Sequence, residues 1–388
     1  MGLGIEWVIG SCKLLAGIRE EFERDRPFEG LRIGTGIHLE PKTVALLLTL
    51  ASGGAEVVST GNLNTTQQEA IDYLNAHGVR AIGGPTADPA EHDRWLRDVL
   101  ATGPQLLLDN GGDLFTRWLE QPWEGLIGGT EETTSGRMRL APLRDRIGLP
   151  VLVINDSPIK QFAENRHAVG QSTLESYLRI TNRSTNGKRV TIFGYGACGR
   201  GVAAHFRNAF AEVSVVEIHP VTRLEALLDG FPVPEKREAL ERADVVITAT
   251  GARDVVTAAD LGSFADDTVL MNVGHFPLEI DVAGIAADPS VTTRTAAADG
   301  IETFTFAGGR RLHLLTGGHM ANLAGPRPLG NSIESMDLGF ALQARCLQAV
   351  ANRSVGAADC VVPVPASIDA AVASAYIALS KGLQAHVG

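Results

Sequence analysis

The segment Val190-Thr-Ile-Phe-Gly194-Tyr-Gly196-Ala197-Cys-Gly199-Arg-Gly201 limits what this chain can fold into more than any other. A β-branched run leads directly into G-x-G-x-x-G and then into the helical pattern Val202–Asn208. Gly194 permits the tight turn, Gly196 lets the backbone approach a pyrophosphate, and Gly199 permits close helix–strand packing. The N-terminus of the helix that follows presents the positive end of its dipole to an anion, with Ala197 among the candidate contacts. Glu217 closes the next strand pattern, 18 residues after Gly199. A carboxylate there accepts from both ribose hydroxyls and repels a 2′-phosphate, so the spacing predicts NAD rather than NADP. Two further strand ends, Thr248-Ala-Thr250-Gly251 and Asn272-Val-Gly274-His275, face the nicotinamide side of such a site, with Thr250, Gly274 and His275 as candidate contacts.

The remainder of the chain repeats the same alternation. Strand patterns at 31–35, 56–60, 105–109 and 150–154 enclose helical patterns at 41–51, 67–76 and 91–100. A second series reads 190–193, 212–216, 244–248 and 268–272, with 291–295 and 311–315 as extensions, and long helical patterns follow at 335–351 and 367–385. Runs of βα units predict parallel sheets covered on both faces, with ligands at the carboxyl ends of the strands. In the first series those ends are His38 and its neighbours, Asn62–Thr66 and Asp109–Asp113. The fold class is therefore α/β with a Rossmann series, and the two C-terminal helical patterns could belong to either series.

Composition narrows the function. Of 388 residues, 34 are basic and 45 acidic, a net charge of −11, which argues against a chain-wide nucleic-acid or anionic-membrane surface. The apolar run around Val44–Ala51 is far short of the ~20 residues that span a bilayer. No basic leader precedes an apolar stretch, so a cytoplasmic location is expected. Cys12, Cys198, Cys346 and Cys360 form no C-x-x-C pair, predict no metal cluster, and in the cytoplasm would stay reduced.

In order along the chain, Arg19-Glu-Glu-Phe22, His38-Leu-Glu40-Pro-Lys42-Thr43, Leu108-Asp-Asn110-Gly-Gly-Asp113, Glu131-Glu132-Thr133-Thr134-Ser135-Gly136, Asn155-Asp-Ser-Pro-Ile-Lys160, Gly170-Gln-Ser-Thr173, Gly194–Gly201 with Glu217-Ile-His-Pro220, and Asn272–Asp281 resemble S-adenosylhomocysteine hydrolase. The resemblance runs to Phe340-Ala-Leu-Gln343 and so covers almost the full length. It implies a two-lobed α/β fold, a substrate lobe of residues 1–160 and 334–388 with a Rossmann NAD lobe of 161–333 inserted in it, and a homo-oligomer, tetramer or dimer. It also implies a purine nucleoside substrate. The 3′-hydroxyl gives hydride to NAD, the resulting ketone acidifies the C4′ proton, the 5′ substituent leaves, and the ketone is finally reduced again.

By position, the resemblance assigns Lys160 and Asn165 to the 3′-hydroxyl, a task that suits a lysine whose pKa desolvation has lowered. Glu132 would hold the ribose hydroxyls, His38 would handle the group leaving C5′, and His275 would sit beside the reacting sugar. Thr133, Thr134, Ser135 and Asn322 would contact NAD, although a hydroxyl run also caps helices. Glu40 and Lys42 would meet the base and leave it open between adenine and a relative.

The departures fall on chemistry. The family's Asp-Asp-Gly-Gly-Asp has Asn110 in second place, and an amide cannot accept a proton at neutral pH. The Asp before the Asn of the lysine block is Glu164, and Gly330-Asn331-Ser332 replaces Gly-His-Pro at a substrate contact. His167-Ala-Val169 stands for Tyr-Gly-Thr/Cys, and the family's Lys…Tyr tail is missing before Gly388, as in part of the family. Cofactor and hydride groups kept beside altered proton-transfer groups predict a changed second half-reaction: elimination of water from a purine nucleoside. Hydrolysis of S-adenosylhomocysteine and a non-catalytic NAD-binding regulator are the alternatives. A 2-hydroxyacid dehydrogenase shares the layout, but no arginine with a His–carboxylate pair follows the Rossmann segment.

Overall fold

A computed structural model describes residues 4–275 and 277–382. Phe276 of the Asn272–Asp281 block and the end of the helical pattern at 367–385 lie outside the described residues. The chain divides into two compact units, one running to Gln161 and resuming at Ile333, the other spanning Phe162–Ser332.

The first unit is built on seven parallel strands: β1 (Arg32–Ile37), β2 (Glu56–Gly61), β3 (Arg80–Ile82), β4 (Leu106–Asp109), β5 (Gly128–Glu131), β6 (Val151–Val153) and, from the C-terminal region, β14 (Cys360–Pro363). Their order is β14-β6-β5-β4-β1-β2-β3. The direction of winding reverses between β1 and β4, which makes the carboxyl ends of those two strands the natural crevice. The helix Pro41–Ser52 leaves β1 with Pro41 in its first turn, where a missing N–H costs nothing. It is buried from Pro41 to Leu50, Lys42, Thr43 and Thr49 included, because the helices Lys13–Asp25 and Ile333–Ala351 also pack against it.

The second unit has β7 (Arg189–Phe193), β8 (Glu212–Val216), β9 (Val245–Thr248), β10 (Thr268–Asn272), β11 (Val291–Ala298), β12 (Ile301–Phe306) and β13 (Arg311–Leu315), ordered β11-β12-β13-β10-β9-β7-β8. Five strands are parallel, and β12 pairs antiparallel with both β11 and β13. The switch point lies between β7 and β9, directly above the glycine-rich turn.

Most expected elements recur with ends moved by a residue or two. Strands 212–216 and 268–272 coincide with the expectation, while 31–35 is found at Arg32–Ile37 and helix 367–385 at Ala366–Ser380. Four strands were not expected: β3, β5, β12 and β14. Strand β5 carries Gly128-Gly129 and no apolar side chain, yet it is fully buried. A Cβ on Gly129 would lie 1.9 Å from the carbonyl oxygen of Leu107, so only glycine lets the strand lie beside β4. No described helix is long and apolar enough to cross a membrane.

Candidate active site

In the first unit the strand ends bring five predicted positions together. Asn62 follows β2, Asn110 follows β4, Glu132 follows β5, and Lys160 comes after the short turn Ile154–Asp156. Asn62 Nδ2 donates to Asn110 Oδ1 at 3.0 Å, Asn110 Nδ2 donates to Glu132 Oε2 at 3.0 Å, and Lys160 Nζ donates to Glu132 Oε1 at 3.0 Å. The Lys160 and Glu132 side chains are 8% and 7% exposed, so the pair is nearly dry. Burial alone would lift the Glu132 carboxyl. The Lys160 charge and hydrogen bond, with His38 and Asn110 behind them, hold it below the usual range. His38, following β1, has Nδ1 2.6 Å from Thr65 Oγ1. Glu40 and Lys42 form a buried ion pair at 2.7 Å beside them in sequence.

Next to this cluster in sequence stand two acids, Asp109, which opens the strand-end stretch Asp109–Asp113, and Glu131, to which the sequence assigned no role. Asp109 and Glu131 lie opposite each other in the β4–β5 register, and both are fully buried. Asp109 accepts from the backbone N–H groups of Asn110, Leu114 and Phe115, capping the helix Asp113–Trp118 from its own strand. Burial, then the charge of Asp113, pushes it up to about 6 against those donors. Glu131 accepts from Gly111 N, Gly112 N, Thr133 N and Thr133 Oγ1. Burial and then Asp109 push its carboxyl well above the usual range. His92 was missed too. It is buried, burial lowers its pKa, and among the described residues its Nε2 has no hydrogen-bond partner.

The predicted cofactor hydroxyls have partners within their own unit. Thr133 caps the helix Thr134–Leu140 by accepting from Gly136 N and lies 3.0 Å from Ser135 Oγ, while Thr134 Oγ1 donates to Asn155 Oδ1. Lys160, Glu164 and Asn165 all fall on the segment Lys160–Ala168, which is wound as a π-helix. That winding is rare and occurs mostly at functional sites.

In the second unit the glycine-rich turn has the shape the spacing predicts. Gly194 has φ of 92°, and a Cβ on Gly199 would lie 2.0 Å from the Gly194 carbonyl oxygen. Gly196 is the extended residue ahead of the helix Ala197–Asn208, and a Cβ there would meet nothing within 4 Å. This is an open cradle at a helix N-terminus. Glu217 is held by Tyr195 N at 2.9 Å and His219 N at 2.8 Å, one on each oxygen, which leaves lone pairs for a diol.

Thr250 N, Thr250 Oγ1 and Gly251 N all donate to Glu279, a buried acid the sequence reading passed over. Gly274 gives Glu279 room, since a Cβ there would lie 1.8 Å from its Oε1. Half-buried His275 follows. Asn322 is buried and donates to Ser172 Oγ at 3.1 Å, and Ser172 donates to Asn331 Oδ1 at 3.1 Å. Among the described residues Asn322 Oδ1 has no partner. A buried acceptor with nothing to accept from fits a ligand that brings a donor, such as the carboxamide of nicotinamide. The residues present therefore fit NAD: Gly194, Gly196, Ala197 and Gly199 at the pyrophosphate, Glu217 at the ribose, Asn322 at the amide.

A family model described as S-adenosyl-L-homocysteine hydrolase matches residues 11–124, and another, S-adenosyl-L-homocysteine hydrolase, NAD binding domain, matches residues 165–327. The chain is 38% identical over 346 residues to an S-inosyl-L-homocysteine hydrolase of Methanothermobacter thermautotrophicus, covering 88% of this chain and 82% of that one. It is 37% identical to the S-inosyl-L-homocysteine hydrolase of Methanopyrus kandleri, over 95% of this chain and 88% of that one. Identity to an adenosylhomocysteinase of Thermotoga maritima is 39%, over 87% of this chain and 84% of that one.

Proposed function

We propose that this chain, which belongs to the S-adenosyl-L-homocysteine hydrolase family and is an NAD-dependent enzyme, eliminates water from a purine nucleoside with no net oxidation. The observation that carries this reading is the amide at position 110. Asn110 accepts from Asn62 and donates to Glu132, so the place of an acid in the family pattern belongs to a group that exchanges no proton. An acid 3 Å from Glu132 would share a proton with it, as close carboxyl pairs do. With Asn110 there, Glu132 stays ionised against Lys160 and the acid is gone.

Bound NAD supplies the two-electron acceptor for the 3′-carbon and returns those electrons at the end of the cycle. The rest falls to the chain. Lys160, which rests as the ammonium beside Glu132, would first give up its own proton and then take that of the 3′-hydroxyl, and Glu132 would hold the ribose hydroxyls in register with it. A ketone at C3′ makes the C4′ proton acidic, because the carbanion delocalises as an enolate. His38 or His275 would remove that proton, imidazole being suited to proton transfer at neutral pH. The C5′–O bond then breaks, and the oxygen leaves as water with a proton from His38. Reduction at C3′ restores the hydroxyl, and the product is a 4′,5′-unsaturated nucleoside, the substrate less one water.

The named relatives favour a second reading, cleavage of a nucleosyl-homocysteine thioether. The buried Glu40–Lys42 pair would meet the base in either case. A carboxylate accepts from a 6-amino group and an ammonium donates to a 6-oxo group, so the pair fits adenine or hypoxanthine. The test is a side-by-side assay of thiol release from S-adenosyl- and S-inosylhomocysteine, and of a product lighter by one water from adenosine and inosine. The expected result is dehydration without thiol release, and Asn110→Asp should gain thiol release. Vigorous thiol release by the unmodified protein would replace the first reading with the second.

A further inference from the structure

We infer that Glu131 is a positioning residue, which sets the distance between Asn110 and Glu132 by clamping the residues that follow each of them. The inference rests on the proposed reaction for its kinetic consequence, but not for its geometry. Glu131 and Glu132 are consecutive at the end of β5, so their side chains leave the strand on opposite faces. Glu132 enters the Asn62–Asn110–Lys160 chain. Glu131 turns beneath it and receives Gly111 N at 3.0 Å, Gly112 N at 2.9 Å, Thr133 N at 2.7 Å and Thr133 Oγ1 at 2.8 Å.

Gly111 follows Asn110 and Thr133 follows Glu132, so one carboxyl group ties together the backbones behind both partners of the 3.0 Å bond. Gly111 and Gly112 have φ of 93° and 72°, and their successive N–H groups converge as they do in the concave nests that bind anions. Here the chain's own carboxylate fills the nest. The space is shaped to it: a Cβ on Gly136 would lie 2.1 Å from Glu131 Oε1.

The choice of side chain is informative. Placing a second buried acid opposite Asp109 is unfavourable, and burial, with the charge of Asp109 behind it, pushes the Glu131 carboxyl upward. Oε1 alone accepts from Gly111 N, Thr133 N and Thr133 Oγ1, and Oε2 accepts from Gly112 N. A glutamine of the same shape offers one acceptor oxygen in place of two. Whichever way its amide turned, the NH₂ group would face a backbone N–H of the clamp and push it away. Only a carboxylate satisfies all four donors at once, and the reaction needs the Asn110 and Glu132 turns in fixed register. Displacements near 1 Å can cost catalysis about a hundredfold.

Glu131→Gln in the NAD-loaded full-length protein tests this with two readouts. One is the reduction of bound NAD by adenosine and inosine in a single turnover, whose limiting rate and half-saturating concentration stand as kcat and KM. The other is the side-chain amide resonance of Asn110 in a ¹⁵N spectrum, taken well below the unfolding temperature. The expected result is a kcat lower by at least about tenfold with KM little changed, together with a displaced Asn110 amide. A native kcat, a parallel loss in kcat and KM, or an Asn110 amide that stays in place overturns the inference. If the unmodified protein oxidises neither nucleoside, the proposed reaction fails, and the Asn110 resonance alone then decides for or against Glu131. Should Glu131→Gln not fold, Glu131→Asp keeps the charge, draws the carboxyl back by one methylene, and is read the same way.

Discussion

In the second unit the groups offered to a ligand are chiefly backbone: the bare turn at Gly194–Gly199, the open cradle at Gly196 and the first N–H groups of the helix Ala197–Asn208. In the first unit they are almost wholly side chains, linked end to end from Asn62 through Asn110 and Glu132 to Lys160. A backbone site tolerates the loss of side chains and fails when a Cβ is added. A side-chain chain fails when a member is cut and is indifferent to bulk elsewhere. Divergence can therefore alter a side chain in one unit, as at Asn110, while the glycine turn of the other stays intact.

The largest expected effect comes from cutting the side-chain unit. Lys160→Ala should lower reduction of bound NAD by nucleoside by roughly 10²–10⁴-fold, the usual range for a general base. The protein should still retain NAD after desalting, and near-native reduction would remove Lys160 from the mechanism. The complementary break adds a Cβ to the backbone unit. Gly199→Ala places it 2.0 Å from the Gly194 carbonyl, so NAD retention should be lost along with ~3 kcal/mol of stability or more. Retained NAD in that variant would mean the turn has a second packing.

A third change sharpens the contrast through pH. Asp337 is buried, accepts from Leu14 N at 2.7 Å and Leu15 N at 2.9 Å, and is pushed up to about 6, mainly by burial. Its folded pKa lies above the unfolded value. The stabilisation it brings is therefore complete below about pH 4 and is lost as pH rises through about 6, up to ~3 kcal/mol in all. Urea midpoints of Asp337→Asn and the parent should diverge across that window and run parallel above pH 7, with NAD retention unchanged. Parallel curves throughout would show that Asp337 does not titrate there. The smallest effect is expected from Glu217→Ala, which should weaken NAD by ~1.5–3 kcal/mol, the scale of hydrogen bonds to a charged group. A gain in NADP binding should accompany it, and an unchanged affinity would place the ribose elsewhere.

The same contrast explains what could be read in the sequence. Glycine spacing encodes backbone conformation locally, so the turn at Gly194–Gly199 and the partner Glu217 were legible from a stretch of under thirty residues. The first-unit cluster draws on residues from Asn62 to Lys160, where the strand-end rule grouped Asn62 with Asp109–Asp113 and only resemblance to a family added Glu132 and Lys160. Even then the scaffold stayed hidden. Asp109 and Glu131 look like ordinary strand-end acids and Glu279 like a loop acid, and it is their burial against backbone N–H groups that gives them a task. Strand β5 was missed because its Gly128-Gly129 start imitates a turn, and β3 and β14 because three or four residues at a sheet edge carry too little periodicity. Which way the Asn110 amide faces was legible nowhere, since a neighbour 22 residues away decides it.

The return of the chain to its first unit at Ile333 also has a consequence during synthesis. The helix Pro41–Ser52 is buried only once Ile333–Ala351 has arrived to cover it. On a ribosome adding about 5–20 residues per second, the intervening segment Phe162–Ser332 occupies roughly 10–30 s. Throughout that interval a leucine-rich helix waits with one flank bare. The nascent chain should be a chaperone client in that window, and a ribosome stalled before Ile333 should leave an aggregation-prone product even where the nucleotide-binding unit is already folded.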